Sequence, residues 1–290
     1  MTHRPQFALV IGSGGVRSVS ALGVAEVLWQ EDLRPDLIVG CSAGALFGAL
    51  LAMGLPPADA VSLATGLWTA ELTHQRRAGA VLKMLLPGWF GFSADFSLRD
   101  DAPIVRRLHA AFGDRRIEDL PVPFRVAATD AATDAATGAT VVLSRGPLID
   151  ALRASIALPF MLPPCHIEGH RLIDGFVSDP LPVAAADDAA AVLALGFRAQ
   201  LPSRIDGPSR LLAQFTSAMT NNLMDARLAA ARGAGGRLMA LMPGLERRVG
   251  LFETGAMPAL VAAGSAHARQ HLAAVQALLC VRPALRAAAA

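Results

Sequence analysis

One serine in the sequence lies in a setting that suits nucleophilic chemistry. The pentapeptide Gly40-Cys41-Ser42-Ala43-Gly44 follows an apolar run and precedes an alanine-rich one. This pattern is typical of a nucleophile elbow, a sharp strand-to-helix turn that exposes the serine hydroxyl. Small residues are needed on both sides because larger side chains would clash with the neighbouring backbone. The alternative is that Ser42 only caps the helix that follows.

A second glycine-rich loop, Gly12-Ser13-Gly14-Gly15-Val16-Arg17-Ser18, also follows a short apolar run. It does not fit the dinucleotide-binding pattern, because Arg17 takes the third glycine position and the nearby acid, Asp36, comes at the start of the second strand and not at its end. Backbone N–H groups at the start of a helix favour anions, so the loop is suited to stabilising an oxyanion beside Ser42. A plain tight turn is the other interpretation.

A serine hydroxyl is a weak nucleophile until a base takes its proton, so the chain must supply a base. Tyrosine is excluded because the sequence contains none. Asp174 ends a predicted strand and precedes Gly175, so it is well placed to be the base. The alternative is that Asp174 is only the first residue of an ordinary Asp-Gly turn. His267 and His271 share a face of the last predicted helix. We interpret them as surface residues, but they leave open a Ser-His-Asp hydrolase.

The composition narrows the function further. Lys83 is the only lysine among 26 basic residues, so a P-loop is excluded. A net charge of +2 gives no electrostatic reason to expect nucleic-acid binding. The three cysteines, Cys41, Cys165 and Cys280, lack metal-ligand spacing and favour a reducing compartment. With no recognisable signal peptide and no run long enough to span a bilayer, we expect a cytoplasmic protein without metal or cofactor.

Hydrophobic periodicity predicts an α/β fold. Strands at 7–11 and 36–39 alternate with helices at 19–29 and 43–54, which indicates a parallel sheet with helices on its faces. Further strands are predicted at 124–130, 138–144, 191–197 and 236–243, and the segment 170–176 is a short strand that runs into an Asp-Gly turn. Further helices are predicted at 58–72, 101–112, 147–164 with a break at Pro159, 208–232 and 257–280. We expect one domain over 1–290, with a helical region and one further strand in 198–290.

The segment 73–99 differs from the rest and is expected to leave the sheet as a cap or lid. Its part 84–94, "MLLPGWFGFSA", carries no charge and follows a basic stretch. The apolar side chains are Leu85, Leu86, Trp89, Phe90 and Phe92, and the cations before them are Arg76, Arg77 and Lys83. This combination is typical of an interfacial membrane anchor. Packing of the same side chains as a cap over the active site is the other interpretation.

The three motifs together resemble the patatin-like phospholipase family. "GSGGVRS" is similar to the family's oxyanion loop, "GCSAG" to its nucleophile elbow and "DGF" to its Asp-Gly turn. The stretches 35–54 and 151–183 are similar to the family over their whole length, and the resemblance extends from residue 7 to about residue 197.

The resemblance implies a three-layer α/β/α fold with a mainly parallel central sheet, and hydrolysis of lipid acyl esters through an acyl-enzyme without a metal. Ser42 would be the nucleophile and Asp174 the base. The N–H groups of Gly14, Gly15 and Val16 would bind the oxyanion. The positions that would support these groups are Gly12, Arg17, Gly40, Gly44 and Gly175, with Arg17 bracing the loop or meeting a phosphate.

Three residues depart from the family pattern. Ser13 and Ser18 replace glycines of the loop, and Phe176 replaces the second glycine after the aspartate. Ser18 is suited to capping the following helix. Phe176 places bulk beside the base, which is expected to narrow the acyl pocket or to shift Asp174. A lipid-binding protein that keeps the fold without catalysis is therefore a further alternative.

Overall fold

The computed structural model describes residues 4–67, 79–80, 84, 86–90, 92–131, 138–245 and 247–280. The strands are β1 (Phe7–Ile11), β2 (Leu37–Cys41), β3 (Phe124–Asp130), β4 (Thr140–Leu143), β5 (Cys165–Ile167), β6 (His170–Asp174), β7 (Ala191–Leu195) and β8 (Leu238–Leu241). The longer helices are α1 (Ser20–Gln30), α2 (Ala43–Ala52), α3 (Pro57–Leu67), α4 (Ala102–Phe112), α5 (Leu148–Ser155), α6 (Pro208–Gly233) and α7 (Met257–Cys280).

The strands form one sheet in the order β5-β6-β3-β2-β1-β7-β8, and β4 pairs with β3 as well. The five strands from β3 to β8 in this order run parallel. The pairings that involve β4, β5 and β6 are antiparallel. The mainly parallel sheet that the sequence predicts is confirmed.

Both faces of the sheet are covered, as β1 shows. All five of its residues are buried, which is expected of a central strand in a parallel sheet. Leu9 and Ile11 belong to the larger core with α1, α2 and α7. Val10, which points the other way, packs in a smaller core with Met224 and Leu228 of α6. The predicted α/β/α layering is confirmed.

The strand pairing around β3 brings Ser42, which follows β2, close to Asp174, which ends β6. The last pair of β2 with β3 is Cys41 with Ala127, and the next residue, Ala128, pairs with Asp174 at the end of β6. Because β4 pairs with β3 over the same residues, β4 must take the opposite edge. Hence β2 and β6 meet end to end along one edge, and Ser42 follows directly after β2.

The structure differs from the sequence prediction near Pro159. Helix α5 ends at Ser155, so the predicted helix over 147–164 was too long. Proline lacks a backbone donor and disfavours helical backbone at the residue before it. Strand β5 was not predicted. It pairs with β6 across Glu168 and Gly169, which have φ values of 49° and 83°, whereas a hairpin of this kind usually contains Asn-Gly or Asp-Gly.

Much of the expected cap segment lies outside the described residues, including Arg76, Arg77, Lys83 and Leu85. Residues 68–72 of the predicted third helix lie outside them too. Within the described part, Pro87–Phe90 forms one helical turn and Trp89 is 88% exposed. The membrane contact through 84–94 stays a prediction. None of the helices in the described ranges is long and apolar enough to cross a membrane.

Candidate active site

Ser42 occupies a tight turn between β2 and α2. Its backbone has φ 56° and ψ −133°, a combination that is costly for any residue other than glycine. A Cβ atom at Gly40 would lie 2.4 Å from the Cα atom of Ala45, and one at Gly44 would lie 2.5 Å from the carbonyl oxygen of Gly12. The two glycines of the pentapeptide are therefore required by close backbone contacts.

The Ser42 side chain contacts Asp174. Its Oγ donates a hydrogen bond of 2.7 Å to Oδ2 of the aspartate, and it makes no capping bond to α2. The other carboxylate oxygen, Oδ1, accepts from the Phe176 N–H at 3.0 Å. The Asp174 N–H donates to the Ala157 carbonyl at 3.0 Å. The structure thus brings the two predicted residues together, and the Ser42 side chain does not cap α2, although the residue lies at the start of that helix.

The environment of Asp174 changes its acidity. The residue is 2% exposed, and burial raises the pKa of its carboxyl group from the usual 3.8 to about 7. The hydrogen bonds from Phe176 and Ser42 act in the opposite direction and lower this pKa. A carboxylate with a pKa near 7 is a much better proton acceptor than one in water.

Ser155 supports the turn, although it was not among the residues predicted for the site. The Ser42 N–H donates to Ser155 Oγ at 2.8 Å, and that hydroxyl donates to the Ala127 carbonyl at 2.7 Å. Ser155 is completely buried at the end of α5. A buried helical serine often bonds to a carbonyl of its own helix. Here it joins the turn to β3, and a serine on the apolar face of the predicted helix was the signal that could have revealed it.

The glycine loop presents two unengaged amides. No acceptor is found among the described residues for the N–H groups of Gly14 and Gly15. The Val16 N–H donates to the Leu251 carbonyl at 2.9 Å, so this amide is not available to an oxyanion. The expectation that Val16 would join the oxyanion site therefore has to be corrected. Gly15 has a φ of +58°, which glycine adopts most readily.

Arg17 and Ser18 brace this loop from within. Arg17 Nε donates to the Gly14 carbonyl at 3.1 Å, and its Nη1 donates to the carbonyl of Arg198. Ser18 Oγ donates to the Gly12 carbonyl at 3.1 Å. Helix α1 begins after Val19 without a side-chain cap, so the expected capping by Ser18 is wrong. The serine instead holds the two ends of the loop together.

Two other glycines of the site are needed for close packing. A Cβ atom at Gly12 would lie 2.8 Å from the Pro180 carbonyl oxygen. One at Gly175 would lie 2.5 Å from the Ala127 carbonyl oxygen, on the strand beside Asp174. These contacts explain why the loop and the Asp-Gly turn use glycine.

Ser42, Asp174 and the glycine loop open onto a cavity of about 770 Å³. This volume is in the range of small-molecule sites. Its apolar lining includes Ile104, Ile156, Leu158, Met161, Leu162 and Phe197. Phe176 also lines the cavity, as its position next to the aspartate suggested. It does not displace Asp174, because the bond to Ser42 is intact.

Arg99 gives the cavity a cationic group. It lines the cavity, and its Nη1 atom is buried without a hydrogen-bond partner in the described parts of the chain. A buried donor without a partner is costly, which makes this nitrogen a candidate for contact with an anionic group of a ligand. Nothing in the local sequence around Arg99 marks it as a site residue, so it was not predicted.

The histidines of the alternative hydrolase lie elsewhere. The rings of His267 and His271 lie side by side on α7, with centroids 4.4 Å apart and a 40° angle between their planes. Burial and the neighbouring His271 lower the pKa of His267. Neither residue lines the cavity. Across the described ranges, no group of three or more His, Cys, Asp or Glu side chains is arranged to hold a metal ion.

A sequence model of the patatin-like phospholipase family matches residues 9–187. The chain belongs to this family. An uncharacterized NTE family protein of Mycobacterium tuberculosis is 35% identical over 180 residues, which are 62% of this chain and 45% of that protein. The human patatin-like phospholipase domain-containing protein 6 is 32% identical over 197 residues, 67% of this chain and 13% of that protein.

This patatin-like chain therefore spans less than half the length of the relatives it matches. Among solved structures, that of VipD from Legionella pneumophila aligns with a TM-score of 0.47 at 13% identity, covering 94% of this chain and 67% of VipD.

Proposed function

We propose that the chain is a serine lipid acyl hydrolase, of the phospholipase A, lysophospholipase or carboxylesterase type. Ser42 is the nucleophile and Asp174 the general base. The observation that carries the proposal is the 2.7 Å hydrogen bond from Ser42 Oγ to a buried carboxylate of raised pKa. Membership of the patatin-like phospholipase family supports the substrate class.

In the acylation step, the Asp174 carboxylate accepts the Ser42 proton while Oγ attacks the ester carbonyl carbon. The carbonyl oxygen becomes an oxyanion, which the N–H groups of Gly14 and Gly15 stabilise. The intermediate collapses when the ester C–O bond breaks, and the leaving alkoxide takes the proton from Asp174. Ser42 then carries the acyl group.

Deacylation repeats the same transfers with water. Asp174 accepts a proton from a water molecule that attacks the acyl-enzyme carbonyl. The second oxyanion collapses with Ser42 Oγ as leaving group, and the proton on Asp174 returns to this oxygen. The fatty acid is released and the dyad is restored. The Phe176 N–H holds Oδ1 throughout, so that Oδ2 stays directed at Ser42.

The cavity supports an acyl ester as the substrate. The apolar side chains that line it offer a fatty acyl chain a site away from water. Arg99 offers a charged contact to a phosphate on the leaving group, which favours a phospholipid or lysophospholipid over a neutral ester. The proposal assigns no role to His267 or His271.

Release of fatty acid from a lysophospholipid tests the proposal. We expect turnover by the parent chain, and a loss of about 10³-fold or more in kcat for Ser42→Ala and for Asp174→Asn. The matched control is the double variant His267→Ala, His271→Ala, which should keep the parent rate.

Two results would contradict the proposal. Full activity in Asp174→Asn, with loss in the histidine double variant, would favour a Ser-His-Asp hydrolase. Lipid binding by folded parent protein without any fatty acid release would favour a non-catalytic lipid-binding protein. Circular dichroism of each variant separates both results from misfolding.

A further inference from the structure

Helix α6 is packed into the fold along only part of its length. Of its 26 residues, the buried ones are Met224 and Leu228, both in the carboxyl-terminal half. The amino-terminal half, from Pro208 to about Thr220, buries no side chain. A helix with one half left uncovered has a surface available for a partner.

The exposed half of α6 carries an apolar stripe, formed by Leu211, Leu212, Phe215 and Met219. Leu211, Phe215 and Met219 are spaced by four residues, so they share one face, and Leu212 lies beside them. The exposed fractions are 67% for Leu212, 57% for Phe215 and 71% for Met219. Side chains of this size are rarely exposed together without a function.

The stripe borders the candidate active site. Leu212 itself lines the cavity, together with Ala213 and Thr216 on the adjoining face of the helix. The other half of α6 holds the stripe in place, because Arg227 Nη2 donates to the Ser178 carbonyl at 3.0 Å, four residues after Asp174. A surface that binds the stripe would therefore lie next to the cavity.

The charges around the stripe suit a phospholipid surface. Between residues 199 and 222 the only acidic residue is Asp206, and it pairs with Arg210 at 2.8 Å. Arg204 adds a further cation, and Arg248 lines the cavity. Arginine side chains beside an apolar stripe place their charges at the phosphate layer while the apolar groups enter the acyl region.

We infer that the stripe is the surface through which the chain lies on a phospholipid layer, with the cavity next to the lipid. This inference rests on the proposed function, because the lipid esters would enter the cavity from that layer. It is distinct from the predicted anchor at 84–94, whose basic flank makes its binding sensitive to salt. Because Asp206 already pairs with Arg210, little unpaired charge lies near the stripe, so binding through it is mainly apolar and persists at high salt.

Vesicle flotation with phosphatidylcholine tests the inference. All chains carry Ser42→Ala, so binding is measured without turnover. We compare the double variant Phe215→Gln, Met219→Gln with the parent, and use Leu63→Gln as the control, because Leu63 is an apolar residue 40% exposed on α3. Neither Phe215 nor Met219 lines the cavity. Glutamine keeps the helical propensity of these positions.

We expect the double variant to lose at least about ten-fold in vesicle partitioning, and Leu63→Gln to behave like the parent. Parent binding should change less than about two-fold between about 0.05 M and about 0.5 M salt. Equal partitioning of the double variant and the parent would overturn the inference. So would a parent dimer that the double variant converts to monomers without a change in vesicle binding, because a second copy would then cover the stripe.

The proposed function is checked separately in chains that retain Ser42. The Phe215→Gln, Met219→Gln chain should hydrolyse a water-soluble butyrate ester at the parent rate and lose activity only on vesicles. If the parent itself fails on the soluble ester, the proposed function fails, while the vesicle-binding result still decides the role of the stripe.

Discussion

If Asp174 is the general base, as proposed, then the ionisation of its buried carboxyl group affects both catalysis and stability. Its pKa is about 7 in the folded chain and close to the usual 3.8 in the unfolded chain. Between pH 3.8 and about pH 7, Asp174 is protonated in the folded chain but ionised in the unfolded chain. Stability is therefore highest when Asp174 is protonated, and it falls as pH rises through this window.

The size of this effect follows from the two pKa values. At 1.36 kcal/mol for each pH unit, a rise from 3.8 to about 7 corresponds to about 4 kcal/mol. Asp174→Asn removes the ionisation but keeps the shape of the side chain. We expect the variant to gain about 4 kcal/mol of stability relative to the parent between pH 4 and pH 8, with nearly all of the gain complete by about pH 7.

Urea unfolding of the parent chain and of Asp174→Asn across this pH range measures their difference in stability. Changes in stability that are common to the two chains cancel in this difference. Asp179→Asn is the matched control. Asp179 is also buried, and burial raises its pKa to about 6, so its gain should be smaller, at about 3 kcal/mol. A stability difference between Asp174→Asn and the parent that does not change with pH would refute the argument that Asp174 is desolvated.

Four further predictions concern activity. The kcat/KM of the parent chain should fall about ten-fold for each pH unit below about 7, because the base must be ionised; a flat profile from pH 5 to 8 would contradict this. Ser155→Ala leaves the Ser42 N–H and the Ala127 carbonyl without partners, so urea unfolding should show a loss of about 2 kcal/mol and steady-state assays a lower kcat with little change in KM. Gly14→Ala places a Cβ atom 2.7 Å from the Phe197 side chain and should displace the N–H group that we propose as an oxyanion donor; kcat should fall about 10²-fold while circular dichroism is unchanged. Arg99→Gln should raise KM about ten-fold for a lysophospholipid but not for a monoacylglycerol, and equal effects on both would remove the phosphate contact.

Local patterns predicted the parts of the site that local geometry determines. Strands β1 and β3 have the predicted bounds, and the glycines around Ser42 are where the tight turn needs them. Such features depend on neighbouring residues in the chain, whose sizes and backbone preferences are visible in the sequence.

Contacts between distant parts of the chain account for what the sequence did not reveal. The Val16 N–H is engaged by Leu251, which lies in a loop far along the chain without a recognisable motif. Ser155 supports the turn only because α5 packs against β3 at that point. The meeting of β2 and β6 along one edge of β3 depends on strand pairing, which periodicity alone does not specify.

Labelling with a fluorophosphonate, read by intact mass, tests the central claim most directly, since the probe reacts with activated serines. The folded parent chain should gain one adduct, Ser42→Ala none, and Asp174→Asn should react at least about 10²-fold more slowly than the parent. The reaction should be repeated with phosphatidylcholine vesicles present. An adduct on folded Ser42→Ala at the parent rate, or none on the folded parent chain with or without vesicles, would contradict the assignment of Ser42 as an activated nucleophile.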